Sequence, residues 1–214
     1  MTAASHRPEV VTWPPTDAEQ AALIARLVRV LSSDELIVLP TDTVYGLAAH
    51  AARPEAVARL FAVKRRPPAK QIALLIDDPA SMHELALEIP PPAAVLAHRY
   101  WPGALTLVLR GHAPGQTIAF RQPDHPVPRA VIRALGSPLA TTSANLSGQP
   151  SPRSAADVLA QLPIGYELLI DAGSSPIGAD STVLDCTGPT VQLLRLGALD
   201  RAELEALVGP IEES

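Results

Sequence analysis

A chain of 214 residues that is 47% hydrophobic and 18% charged is long enough to bury a substantial core and too evenly apolar to be disordered, so one globular domain is the simplest expectation. Its 17 basic and 22 acidic residues give a formal net charge of −5, which excludes nucleic-acid binding by bulk charge and requires any anion site to be a local gathering of cations. Cys186 is the single cysteine, which excludes an internal disulfide framework and a cysteine-rich metal cluster.

Residues 1–15 read as an N-terminal extension, with no basic end leading into an apolar stretch, and no segment approaches the length of a bilayer span, so a soluble cytoplasmic protein is expected. The domain itself is expected over 16–214. Thr16 followed by Glu19 is a capping-box pattern, and Ala21, Leu23, Ile24, Leu27, Val28 and Leu31 have helical spacing. Leu36 to Leu39 reads as a strand closed by Pro40, followed by a loop, and Pro54 opens a second helix through Phe61. Ile72 to Ile76 reads as a strand. Asp78 and Pro79 should start a helix through Leu87, and the Pro90 to Pro92 run breaks the chain before another near Val95. Further strands are expected at 105–109, 116–120, 139–142, 168–171, 182–185 and 191–196, with helices at 127–135, 154–161 and 200–208. Residues 105–120 leave no room for a helix between two strands, so the expected fold is α/β with an open, twisted, mixed sheet and helices packed on it.

The sharpest compositional signal is that both lysines of the chain, Lys64 and Lys70, fall within Lys64-Arg65-Arg66-Pro67-Pro68-Ala69-Lys70, while arginine serves everywhere else. Lysine is a compact point charge suited to a phosphate oxygen, and arginine is a planar fork, so the cluster points to a polyphosphate as readily as to a solvated basic turn. Neither common phosphate loop is present, and the histidines at 6, 50, 83, 98, 112 and 125 lack metal-ligand spacing. No nucleophile elbow occurs, so chemistry here would work through positioning and charge. Polar groups do gather at strand ends, where open α/β sheets bind ligands: Thr41, Asp42 and Thr43; Arg121 and His125; and Thr141 to Asn145. Taken singly, each is more often a turn or capping residue. His125 reads as structural, and Asp42 and His50 receive no role.

Seven motifs carry a resemblance to a known family. They are Pro40-Thr41-Asp42-Thr43-Val44-Tyr45-Gly46-Leu47, Lys64-x-Arg66-Pro67, Trp101-Pro102-Gly103, Arg121-x-Pro123, Ser143-Ala144-Asn145-Leu146-Ser147-Gly148, Asp180-Ser181-Thr182-Val183 and Arg195-x-Gly197. In this order the sequence resembles the YrdC-like threonylcarbamoyl-AMP synthases, of the single-domain TsaC type. The resemblance implies a concave basic site and a nucleotidyl transfer from ATP to threonine carbamate for tRNA threonylcarbamoyladenosine modification. It implies Lys64 and Arg66 as catalytic cations, with Arg66, Lys70, Thr117, Ser143, Ser151 and Arg195 on ATP and Asn145 supporting its loop. Thr43, Arg121, Thr141 and Ser181 would hold threonine. Mg2+ would ride on the ATP phosphates, with no metal site of the protein's own. The implied partners are ATP, L-threonine, bicarbonate and the tRNA-modifying threonylcarbamoyl transferase complex, with weak direct tRNA binding left open.

Lys64 and Arg66 are expected as exposed cleft cations whose removal cuts turnover and spares the fold. Leu75 stands where some longer members carry a histidine near threonine, Lys70-Gln71 replaces a proline-containing stretch, and the extra C-terminal domain of those members is expected to be absent. Two other classes compete: an RNA-binding module, weakened by the net charge, and an adenylating domain acting on carbamoyl phosphate.

Overall fold

The computed structural model describes residues 7–67 and 70–213. Seven helices and eleven strands alternate along them, and all the strands join one mixed sheet. The strands are β1 (Glu9–Thr12), β2 (Ile37–Leu39), β3 (Gly46–His50), β4 (Ala73–Leu75), β5 (Leu105–Arg110), β6 (Thr117–Arg121), β7 (Leu139–Ser143), β8 (Leu168–Asp171), β9 (Thr182–Asp185), β10 (Gln192–Arg195) and β11 (Glu212–Glu213). They lie in the order β1-β8-β2-β3-β7-β4-β6-β5-β9-β10-β11, so the sheet is open, with β1 and β11 at its edges. Antiparallel pairs β2–β3, β3–β7, β4–β7, β5–β6 and β9–β10 occur beside parallel ones, and β5–β6 is the pair that the absence of a helix between residues 105 and 120 requires to be antiparallel.

The helices are α1 (Asp17–Ser32), α2 (Pro54–Lys64), α3 (Ser81–Leu85), α4 (Pro91–Tyr100), α5 (Pro126–Leu135), α6 (Ala155–Gln161) and α7 (Arg201–Val208). The capping signals act as read: the Thr16 hydroxyl accepts from Glu19 N–H and donates to the Glu19 carboxylate at 2.6 Å, and Pro54 stands in the first turn of α2. Three hydrophobic clusters cover the two faces. Leu23, Leu27 and Leu31 of α1 pack with Val127 and Val131 of α5, Leu60 of α2 lies with Tyr45 and Tyr166, and Leu96 of α4 lies with Leu107 and Phe120. None of the helices of the described residues is long and apolar enough to cross a membrane.

Four expectations are corrected. Glu9–Thr12, inside the stretch read as an extension, pairs in parallel with β8 and therefore belongs to the sheet. Gly46–His50, expected as loop, is a central strand: Gly-Leu-Ala-Ala carries no β-branched or aromatic residue to announce it, but pairing with β2 and β7 on either side fixes it as one. The helix expected from Asp78 to Leu87 is cut to Ser81–Leu85, because Ala86 bridges Gly111 and Leu87 N–H donates to Arg110 C=O, drawing the chain out straight. Pro91 and Pro92 do not break the chain before α4 but form its opening, where their missing N–H groups cost nothing.

Candidate functional site

The central strands turn alternate residues to one face. Ala73 and Leu75 of β4, Ala119 and Arg121 of β6, and Thr141 and Ser143 of β7 are spaced by two, so each pair points to the same side, and Gly46 at the start of β3 adds no side chain. Over this floor lies a cavity of about 200 Å³, walled by Thr41, Thr43 to Tyr45, Arg66, Gln71, Thr106, Asp180, Ser181 and Arg195. Its charged lining is three arginines, Arg66, Arg121 and Arg195, against one carboxylate, Asp180, among the described residues.

Each cation is placed by local structure. Helix α2 closes with Arg65 N–H to Ala62 C=O and Arg66 N–H to Phe61 C=O, and Arg65 takes the left-handed conformation (φ 49°, ψ 40°) that such an ending needs. This turn sends Lys64 inward and Arg66 onto the cavity wall, where Arg66 Nη2 donates to Gln71 C=O at 2.6 Å. Burial, then the neighbouring Arg195, hold Arg66 below its ordinary pKa. Arg195, at the end of β10, donates through Nε and Nη2 to Ser181 C=O (3.1 and 2.9 Å) and through Nη2 to Ser181 Oγ (3.1 Å).

Arg121 is buried at the end of β6. It donates through Nε to Gly103 C=O (3.0 Å), through Nη1 to Thr43 Oγ1 (2.6 Å) and through Nη2 to Asp42 Oδ1 (2.5 Å). Burial lowers its pKa and Asp42 pulls the other way, and a guanidinium starts high enough to stay charged at neutral pH. Thr41 holds the loop in shape: its Oγ1 donates to Val44 C=O at 2.7 Å and accepts from the Thr43 and Val44 N–H groups.

Seven of the expected site residues share the cavity: Thr43, Arg66, Arg121, Thr141, Ser143, Ser181 and Arg195. Five lie off its wall. Lys64 is only 1% exposed, which corrects its reading as an exposed cleft cation. Its Nζ donates to Ser143 C=O and to Asn145 Oδ1 (3.1 Å), and desolvation, reinforced by Arg66, brings its pKa down to about 7. Asn145 is buried with it, its Oδ1 also accepting from Ser143 Oγ at 2.6 Å and its Nδ2 donating to Leu146 and Gln149 carbonyls. Ser151 is tied to Asp180 Oδ1 at 2.9 Å, one step behind the wall. Thr117 and Lys70 are exposed, and Gln71 Nε2 donates to Thr117 Oγ1. Leu75, where a histidine was noted in longer relatives, does stand on the cavity wall. His125 caps α5, its Nδ1 accepting from Val127 N–H.

Two carboxylates have a place here to which the sequence reading gave no role. Asp42 is the buried counter-ion of Arg121, and Asp180 is the acidic member of the wall; both sat inside quoted motifs, at strand ends, where an aspartate reads as a turn former. Among the described residues no group of three or more His, Cys, Asp and Glu side chains could hold a metal ion.

Comparison with known proteins bears directly on this cavity. The Sua5/YciO/YrdC family model, described as telomere recombination, matches residues 29–197, which carry every wall residue named above. The chain belongs to the Sua5/YciO/YrdC family. It is 40% identical over 212 residues to a threonylcarbamoyl-AMP synthase of Bacillus subtilis, covering 95% of this chain and 59% of the relative. A putative threonylcarbamoyl-AMP synthase of Mycobacterium tuberculosis is 35% identical, with 92% and 95% covered. The chain thus spans about three fifths of the B. subtilis protein and 54% of the Pyrococcus abyssi relative, but nearly all of the mycobacterial one. Among solved structures, P. abyssi Sua5 complexed with L-threonine superposes with a TM-score of 0.89 at 35% identity, over 96% of this chain and 62% of that one. Escherichia coli YciO shares the fold at a TM-score of 0.80 and 24% identity, over 90% and 97%.

Proposed function

We propose that this Sua5/YciO/YrdC-family protein is an L-threonylcarbamoyladenylate synthase. In this reading the threonine amine and bicarbonate form a carbamate with loss of water, a carbamate oxygen attacks the α-phosphorus of ATP, and pyrophosphate leaves. The observation that carries it is the meeting of two sets of groups in one cavity: Thr43, Arg121, Thr141 and Ser181, suited to an amino acid, and Arg66, Ser143 and Arg195, suited to phosphates. An amino acid seated against the first set and a triphosphate against the second would bring nucleophile and phosphorus together.

Arg121 uses one N–H of each terminal nitrogen on Thr43 and Asp42, and the other N–H of each remains for a ligand carboxylate. Arg66 and Arg195 are the preorganised cations that would meet charge building on the phosphate oxygens. Lys64 contributes from behind, by holding Ser143 and Asn145 in place. Mg2+ enters with ATP as part of the substrate. The names borne by the B. subtilis and M. tuberculosis relatives, and the threonine in the P. abyssi structure, support the same reading. The product would pass to a threonylcarbamoyl transferase complex acting on tRNA, in the cytoplasm.

The test is pyrophosphate release by the pure protein with ATP, Mg2+ and bicarbonate, with and without L-threonine and in the absence of RNA. Threonine- and bicarbonate-dependent release is the expected result, and release at the same rate without an amino acid would refute the reading.

A further inference from the structure

We propose that Asp180 is the ammonium-binding subsite of the cavity, the group that seats the α-amine of the amino acid; the assignment rests on the reading above. A cavity built around three arginines gains affinity for anions from each cation, and a carboxylate on the same wall works against that. Asp180 is the only carboxylate lining it among the described residues, since Asp42 is turned away into its bond with Arg121 and a second with Asp124 N–H at 3.2 Å. Such a group is explained by a ligand that brings a positive charge as well as a negative one.

The carboxylate has capacity to spare. Oδ1 accepts from Ser151 Oγ at 2.9 Å, and Oδ2 faces Arg195 Nη1 at 3.6 Å, a loose pair with side chains 34% and 47% exposed. An ionised carboxylate offers about four acceptor positions, so about two remain open. Hydroxyls line the same cavity, those of Thr43, Thr106 and Ser181, and Thr106 Oγ1 lies 2.8 Å from Ser181 Oγ, next to Asp180 in the chain. An ammonium, with three donors, fits one carboxylate and two hydroxyls; a bare divalent cation, held beside Arg195 with a single carboxylate, does not.

The placement is rigid. Ala198 N–H donates to Asp180 C=O at 2.9 Å, and Gly197 packs so closely that a Cβ there would lie 2.3 Å from that oxygen. The backbone of the turn holding Asp180 is therefore pinned to the end of β10, as Arg121 is fixed at the end of β6. Such a pair of fixed opposite charges reads a zwitterion.

The experiment is titration calorimetry of the intact protein and its Asp180→Asn variant with L-threonine, with 3-hydroxybutyrate, which is the same skeleton without the amine, and with ATP and Mg2+. Asparagine keeps the shape and the bond from Ser151 while removing the charge. The protein should bind threonine at least about tenfold more tightly than 3-hydroxybutyrate, and the variant should lose about tenfold for threonine, with 3-hydroxybutyrate and ATP each unchanged or tighter. Equal affinity of the unaltered protein for the two acids overturns the proposal without recourse to any variant. So does a variant that binds threonine normally, that loses both acids equally, or that changes only in its Mg2+ requirement. Failure of the unaltered protein to bind threonine at all would remove the functional reading itself, and this assignment with it.

Discussion

Lys64 Nζ lies 3.1 Å from Asn145 Oδ1, and through this contact the last residue of α2 grips the loop that follows β7. The same nitrogen reaches Ser143 C=O, and Ser147 N–H returns to Lys64 C=O at 3.4 Å. Lys64→Ala removes a side chain that is 1% exposed and strands two acceptors, so it should destabilise the protein by about 2–4 kcal/mol. Arg66→Ala, on the cavity wall, should cost less than about 0.5 kcal/mol while lowering pyrophosphate release at least about tenfold. Urea denaturation separates the two: a Lys64→Ala midpoint equal to that of Arg66→Ala would show that Lys64 is not a structural post.

The charge on Lys64 should make stability depend on pH. Its folded pKa near 7 lies well below the ordinary 10.5, so between these values the unfolded chain binds a proton that the native chain does not. Stability therefore rises with pH across that window, the penalty being complete below the folded pKa and gone above the unfolded one. Against Lys64→Met, which packs similarly and does not titrate, the unaltered protein should gain about 1 kcal/mol per pH unit from about pH 7.5 to 9.5. Paired urea melts across that range check it, and a pH-independent difference would mean that Lys64 stays charged.

Asp42 and Arg121 form a pair of another kind, with both side chains under a tenth exposed and Asp42 Oδ2 left without a partner. Asp42→Ala strands a buried guanidinium and should cost about 3–5 kcal/mol, whereas Asp42→Ala combined with Arg121→Met should cost less than the two single changes added. Additive losses in chemical denaturation would show the pair to be uncoupled. Because Asp42 also aims Arg121, the milder Asp42→Asn should weaken threonine binding more than ATP binding.

Much of this was legible in the sequence because the signals are local. Thr16, Pro54 and Ser154 each declare a helix start through their own chemistry, and the short apolar runs at 72–76, 116–120 and 139–142 declare the strands that carry the cavity floor. The parts that were not legible depend on tertiary neighbours. Gly46–His50 becomes a strand because β2 and β7 flank it, and Glu9–Thr12 because β8 offers an edge. Lys64 and Arg66 are two residues apart in one basic cluster, and only the left-handed turn at Arg65 sends one into the interior and the other to the ligand cavity. Asp42 and Asp180 are indistinguishable from turn aspartates until their arginine partners arrive from β6 and β10.

Gly46 supplies the last test. It opens β3 opposite Ser143, and a Cβ built on it would lie 2.7 Å from Thr141 Cγ2. Real Cβ atoms do not approach so closely, and Thr141 is short, β-branched and restricted at χ1, so it cannot swing aside as a long chain would. Gly46→Ala should therefore push the Thr141 side chain off its position on the cavity floor while leaving the β3–β7 ladder intact, since alanine is tolerated in a strand and already occupies positions 48 and 49. In the synthase reading the consequence falls on the amino acid: KM for threonine should rise about tenfold or more, with KM for ATP changed less than about threefold. Steady-state pyrophosphate release at varied threonine and varied ATP measures both. Equal rises in the two would place Thr141 outside the amino-acid end of the cavity, and no change in either would show that the floor yields.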